Sequence, residues 1–163
     1  MIDIKAEDYR INNLDDEIRA DQRSAELLRT FHRELLDTGI DPLEAGQLAH
    51  GADYFVRDFL IGNRRRNIIT PDPLCVKQFA GHWYIIRNLE PNIDELAPML
   101  DGIAAFYTFL ENHNAMSAEQ AEQIRCHCQE LSFYRQRIAD FWAIEDNGYD
   151  QWRKDCPLPS LES

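Results

Sequence analysis

The residues with the most chemical potential are three consecutive arginines, Arg64, Arg65 and Arg66, in the stretch "IGNRRRNIITPDP" at 61–73. Guanidinium groups stay charged, and their planar forks match phosphate or carboxylate oxygens two at a time. The surrounding chain is acidic, with 17 basic and 29 acidic side chains and a formal net charge of -12. Residues 1–63 carry a net -7, residues 64–87 carry +4 and residues 88–163 carry -9. The charge therefore reverses at the arginines, and the basic island runs on to Lys77 and Arg87. Two readings follow. Cations at a helix end complement its exposed carbonyls by about 0.3–1 kcal/mol each. Alternatively, Arg64, Arg65, Arg66, Lys77 and Arg87 form an anion clamp for phosphate or for an acidic partner segment.

Other chemistry-bearing types are sparse. His50 and Asp53 stand three apart on one side of a helix and could share a metal or a proton, although a surface pair is the ordinary outcome. His82, with His127, completes the weak metal candidates His50, Asp53 and His82. The "CHC" at 126–128 lacks chelating geometry, because at about 100° per residue Cys126 and Cys128 point some 200° apart. Cys128 instead falls on an apolar stripe, where a thiol acts as a small hydrophobe. "GHWYIIR" at 81–87 mixes aromatic and basic residues that can stack on bases, or complete a core with an amphipathic rim. No G-x-S-x-G, phosphate-binding glycine loop or dinucleotide fingerprint is present. Catalysis is therefore not the expectation, and no cofactor is indicated.

The elements that must position these residues read as helices. "NLDDEIRADQRSAELLRTFHRELLDTG" starts at Asn13, with Leu14, Ile18, Ala25, Leu28 and Leu35 as its stripe. Asp41 and Pro42 open a second helix, whose Ala45, Leu48, Ala52, Phe55 and Phe59 step by 3 and 4. Asp72 and Pro73 open a third, with Val76, Phe79, Ala80, Trp83 and Ile86 inward. A fourth carries Ile93, Leu96, Leu100, Ile103, Tyr107 and Leu110, widened by Met99, Phe106 and Phe109. Pro98 requires it to begin near Glu95 or to kink. The fifth runs from a Ser117/Gln120 capping box to Asn147-Gly148, on a stripe of Ala121, Ile124, Cys128, Leu131, Ile138 and Trp142. Beyond it, one turn around Trp152 precedes Pro157 and Pro159. No alternating strand pattern appears. The expectation is an all-α, single-domain bundle of about five helices in orthogonal or mixed packing, with its core at 14–147 and a C-terminal tail at 148–163.

Length, composition and charge narrow the class. A chain of 163 residues suits one domain with its own core. Four cysteines make no disulfide scaffold. The acidic start "MIDIKAEDYRINNLDDEIR" is no secretory signal, and no run approaches the roughly 20 apolar residues of a membrane span. A soluble cytoplasmic protein is expected, with no membrane partner.

Around "LAPMLDGIAAFYTFLENHNAMSAEQAEQI" the chain resembles the helical N-terminal core-binding (SAM-like) domain of tyrosine recombinases. Leu100, Ile103, Phe106, Tyr107, Phe109 and Leu110, then Met116 and Ser117, carry the likeness over about 30 residues of the 163. The resemblance implies a small helical bundle that clamps DNA, with catalysis in a separate C-terminal domain. That family's Arg, His and Tyr catalytic set has no counterpart to carry over, and a pI near 4.7 departs from a DNA clamp. The leading expectation is a non-catalytic protein that contacts another macromolecule, through a protein partner or self-association as a homodimer, at the Arg64–Arg66 connector. DNA binding through the same island is the second reading. A metal- or cofactor-using helical enzyme drawing on His50, Asp53, His82 and His127 is the third.

Overall fold

The computed structural model describes residues 2–156, and among them every regular element is helical. A 3-10 turn, Ala6–Tyr9, precedes α1 (Leu14–Asp37). Then α2 (Pro42–Asp53) continues without a break into a π-helical segment, Tyr54–Asn63. The next rod is composite: α3 (Cys75–Gln78), a π segment (Phe79–Trp83) and α4 (Tyr84–Arg87). It is followed by α5 (Ile93–Asn112), α6 (Ala118–Cys128), α7 (Leu131–Trp142) and α8 (Gly148–Asp155). The all-α expectation holds, but about five helices is an undercount. Among the described residues no helix is long and apolar enough to cross a membrane.

The caps read at Asn13, Asp41 and Ser117 are present, whereas the third helix starts not at Asp72–Pro73 but at Cys75, with no side-chain cap. Asn13 accepts from the Asp16 N–H at 2.8 Å and Asp41 from the Leu43 N–H at 3.1 Å, and Asn92, not singled out in the sequence, accepts from the Glu95 N–H at 2.8 Å. Ser117 and Gln120 form the full capping box. These side-chain acceptors satisfy N–H groups that have no partner within the first turn. The α5 seam is also as expected, with Leu96, Leu100, Ile103, Tyr107 and Leu110 fully buried. That helix begins at Ile93 and carries Pro98 inside it.

Several expectations are corrected, among them Trp142, expected on the inward stripe of the fifth helix but 59% exposed. The buried face of α1 is Ala20, Ser24, Leu27, Leu28 and Phe31, whereas Leu14 and Ile18 are 67% and 49% exposed. A stripe chosen by large residues missed that small ones, Ala20 and Ser24, bring this helix against its neighbours. In the third rod Ile85 is buried and Ile86 is exposed. The apolar residues there, Phe79, Ala80, Trp83, Tyr84 and Ile85, recur at spacings of 4 and 5, as do Phe55, Val56, Phe59, Leu60 and Ile61. A wider turn keeps such a pattern on one face, and both stretches are π-helical. The fifth expected helix is two. It breaks at Gln129–Glu130, where the Tyr134 hydroxyl donates to the His127 carbonyl at 2.7 Å and so closes the end of α6. The α6 segment packs chiefly on α5 and α7 on the π segment at Phe79–Trp83, two directions that one straight helix cannot serve.

The tail contributes more than one turn. Trp152 on α8 is buried, and its indole N–H donates to the Arg137 carbonyl at 2.9 Å. The Arg137 guanidinium lies 3.9 Å above the Trp152 ring and donates to the carbonyls of Gly81 and Trp152. Tyr9 and Trp152 both belong to the same buried cluster as the helices between them. The expected stops at Pro157 and Pro159 lie outside the described residues.

Close approach of α2 and α5 depends on two glycines. A Cβ at Gly102 would sit 2.2 Å from the Leu48 carbonyl oxygen, and one at Gly51 would sit 2.6 Å from the Met99 Cα. Gly102→Ala and Gly51→Ala should each destabilise by about 1–3 kcal/mol or more, because backbone has to move. Gly46→Ala, which meets nothing within 4 Å, should stabilise by about 0.5–1 kcal/mol through helix propensity. Urea midpoints measure all three, and equal effects at Gly46 and Gly102 would contradict the packing account.

Candidate functional site

The connector at 64–74 links the two π-containing rods and is pinned from several sides. Ile68 and Ile69 are buried, and the Tyr107 hydroxyl donates to the Ile68 carbonyl at 2.8 Å. Asn67 donates through Nδ2 to the Ala6 carbonyl at 2.8 Å and accepts from the Ile69 N–H at 2.9 Å. Asp72 accepts from the Leu74 N–H at 2.9 Å. A connector with its polar groups tied in this way presents its remaining side chains in fixed places.

The arginines sit at the start of the connector. The N–H groups of Arg64, Arg65 and Arg66 donate to the carbonyls of Phe59, Ile61 and Leu60 at 3.0, 3.1 and 2.8 Å. This termination places Arg65 at φ 51, the left-handed region that glycine normally fills at a helix end. The Arg64 guanidinium lies 5.3 Å from the Phe59 ring centroid, and burial lowers its pKa. Arg65 pairs with Glu17 of α1 at 3.3 Å.

Together the three line a cavity of about 610 Å³. A fourth arginine, Arg10, joins them from the N-terminal segment. That segment is held by buried Tyr9 and by Arg23, which donates to the Asp8 carbonyl at 2.7 Å. Ile11, Pro71 and Leu74 supply apolar wall, and Thr70, Asn67 and Gln78 supply polar wall. Asp72 is the one carboxylate in the lining, so the lining's formal charge is +3. Cys75 also lines the cavity, and burial pushes its thiol up to about 11, so it is neutral and un-nucleophilic near pH 7. The volume would admit a small molecule or a side chain, and guanidinium groups in such a lining can pair with the oxygens of a compact anion.

The other sequence candidates are elsewhere. Lys77 pairs with Glu130 at 3.4 Å and lies 4.9 Å from the Phe133 ring centroid. Arg87 lies over Trp83 at 5.3 Å. Neither lines the arginine cavity. The Asp53 carboxylate is engaged by Arg57 at 3.2 Å, and Arg57 also grips Asp21 at 3.0 and 3.1 Å. His50 is exposed on a separate, largely apolar groove of about 440 Å³ between α2 and α5. His127 meets Glu130 at 3.3 Å. Cys126 is exposed and Cys128 buried, as the helical spacing requires. Among the described residues, no three His, Cys, Asp or Glu side chains converge as a metal site.

His82 is buried and stacked on Trp152, with centroids 5.3 Å apart and planes 22° apart. Burial, then Arg137, Arg153 and Arg64, lower its pKa from 6.5 to about 4. Since the folded value lies below the unfolded one, the neutral ring's contribution is complete above about pH 6.5. It is lost as pH falls toward 4, by up to about 3 kcal/mol. His82→Phe should flatten the stability profile between pH 6.5 and 4, measured by urea denaturation at each pH. Parallel profiles for the two proteins would show that His82 does not titrate on unfolding.

Arg10 and Glu17 had no usable sequence signal. They lie in acidic segments 54 and 48 residues before Arg64 and Arg65 respectively, and only the fold brings them to the site. The strain at Arg65 is testable. Arg65→Gly should stabilise the fold by about 0.5–1 kcal/mol by relieving the left-handed backbone. Arg66→Gly, where φ is not positive, should destabilise it. Losses in both variants, read from thermal midpoints, would remove the strain argument. Comparison with protein-family models, with curated proteins and with solved structures finds no match to this chain.

Proposed function

We propose that this protein is a non-catalytic binding protein that captures an anionic group presented by a protein partner. The observation that carries the reading is the convergence of Arg10, Arg64, Arg65 and Arg66 on one cavity with a single carboxylate in its lining. A chain of net charge -12 repels anions at long range, so affinity must come from short-range contacts. Four guanidinium groups at a part-apolar cavity supply them. A DNA clamp, which the recombinase resemblance implies, calls for a basic track along a phosphate backbone. Lys77 and Arg87, needed to extend such a track, are engaged at other places. A compact anion on a peptide suits the cavity better.

Fluorescence anisotropy with labelled acidic and phosphoserine peptides tests this. Binding should weaken at least about tenfold in Arg10→Ala and in the Arg64/Arg65/Arg66→Ala variant, since charge-assisted hydrogen bonds are worth about 1.5–3 kcal/mol each. Lys77→Ala and Arg87→Ala should leave it unchanged. Full retention in the triple variant, with its helical content intact, would overturn the assignment. Preferential binding of duplex DNA that weakens steeply with salt and requires Lys77 and Arg87 would replace it with the DNA reading.

A further inference from the structure

Glu17, on α1, pairs across elements with a cavity arginine, Arg65, at 3.3 Å. It lies in the first turn of α1, and its N–H donates to the Asn13 carbonyl at 3.0 Å, which fixes its backbone. Its side chain is 19% exposed, whereas that of Arg65 is 72% exposed. The carboxylate is therefore the anchored member of the pair, and the guanidinium is the solvent-facing arm. Arg65 also holds a left-handed backbone conformation that an arginine needs no ion pair to adopt and a glycine would adopt more easily.

We propose that Glu17 is a built-in competitor for the arginine cavity, making the site selective for a phosphomonoester dianion on a serine or threonine side chain over a carboxylate. The inference rests on the reading of the cavity as a partner's anion site. An incoming Asp or Glu side chain brings the same charge and the same two oxygens as Glu17. Glu17 is already tethered beside Arg65, at an effective concentration that a free partner has to exceed. A carboxylate ligand therefore gains little at Arg65. A phosphoryl group brings about -1.5 to -2 of charge and three acceptor oxygens. It can take Arg65 from Glu17 and still offer oxygens to the other guanidinium groups.

The experiment uses three labelled peptides that differ at one position, phosphoserine, aspartate or serine, against the full-length protein and its Glu17→Gln variant. The unsubstituted protein should prefer the phosphoserine peptide. Glu17→Gln should tighten the aspartate peptide by about two- to fivefold, the range of an exposed ion pair, and the phosphoserine peptide by less, so that the preference narrows. Asp15→Asn, which removes the same charge from the same turn, should change neither. In an Arg65→Ala background the Glu17→Gln substitution should have no effect, because the pair is already broken.

Several outcomes would overturn the inference while leaving the binding function standing. These are equal affinity of the unsubstituted protein for phosphoserine and aspartate, an unchanged preference in Glu17→Gln, or the same tightening in Asp15→Asn or in the Arg65→Ala background. No binding of either charged peptide by any form would overturn the proposed function, and the inference with it.

Discussion

The structure depends on apolar residues that recur at spacings of 4 and 5 in two neighbouring stretches. Each stretch widens into π-helical turns to keep those residues on one face, and the two faces meet. Phe59 lies 5.6 Å from Phe79 and 5.3 Å from Trp83, ring centroid to centroid, while Phe55 meets Phe79 edge-on at 5.2 Å. Ring pairs at these separations add about 0.5–1.5 kcal/mol each beyond the area they bury. This contact sets the distance between the end of one rod and the start of the next. The connector that spans them must then tuck Ile68 and Ile69 inward and leave its arginines at the rim. A regular α-helix through Tyr54–Asn63 would rotate the chain's exit and present Arg64–Arg66 on another side.

Charge is handled differently at the cavity from elsewhere. Arg57 is gripped by Asp21 and Asp53, and Arg125 by Glu111 and Glu122. Arg137 is held by carbonyls and an indole face inside the core. In a chain with 29 acidic side chains, carboxylates are abundant enough to surround every guanidinium. The cavity lining gathers four arginines and one carboxylate, Asp72, which accepts from the Leu74 N–H, while Glu17 reaches Arg65 from outside the lining. Gathering like charge this way is unfavourable for the fold, and under the proposed function an incoming anion would offset it.

Much of the scaffold was legible because its signals are local. Asn13, Asp41 and Ser117 act within one turn, so each cap is written in three or four consecutive residues. The α5 seam could be read because its partners lie on one side and its turns are regular. The π segments misled a 3.6-residue reading, moving the buried position from Ile86 to Ile85. The break between α6 and α7 has no glycine or proline to announce it, being made by Tyr134 reaching back to a carbonyl and by two packing directions. The site was half legible. The run of arginines stands out against an acidic chain, but Arg10 and Glu17 come to it through long-range folding. Lys77 and Arg87 looked like neighbours in sequence yet project to other parts of the surface.

The geometry also bears on whether the arginines merely finish a helix. Capping explains a cation near exposed carbonyls, and one such charge suffices. Here the carbonyls of Phe59, Leu60 and Ile61 already accept from the backbone N–H groups of the arginines themselves. The Arg65 side chain turns instead to Glu17 of α1. Arg64 loses solvation beside Phe59, and Arg65 occupies a backbone conformation that glycine would adopt with less strain. Stability alone would favour glycine at that position and a fully hydrated cation before it. Local strain at Arg65 and desolvation at Arg64, both lining one cavity, are costs that helix capping leaves unexplained and that the proposed binding role accounts for.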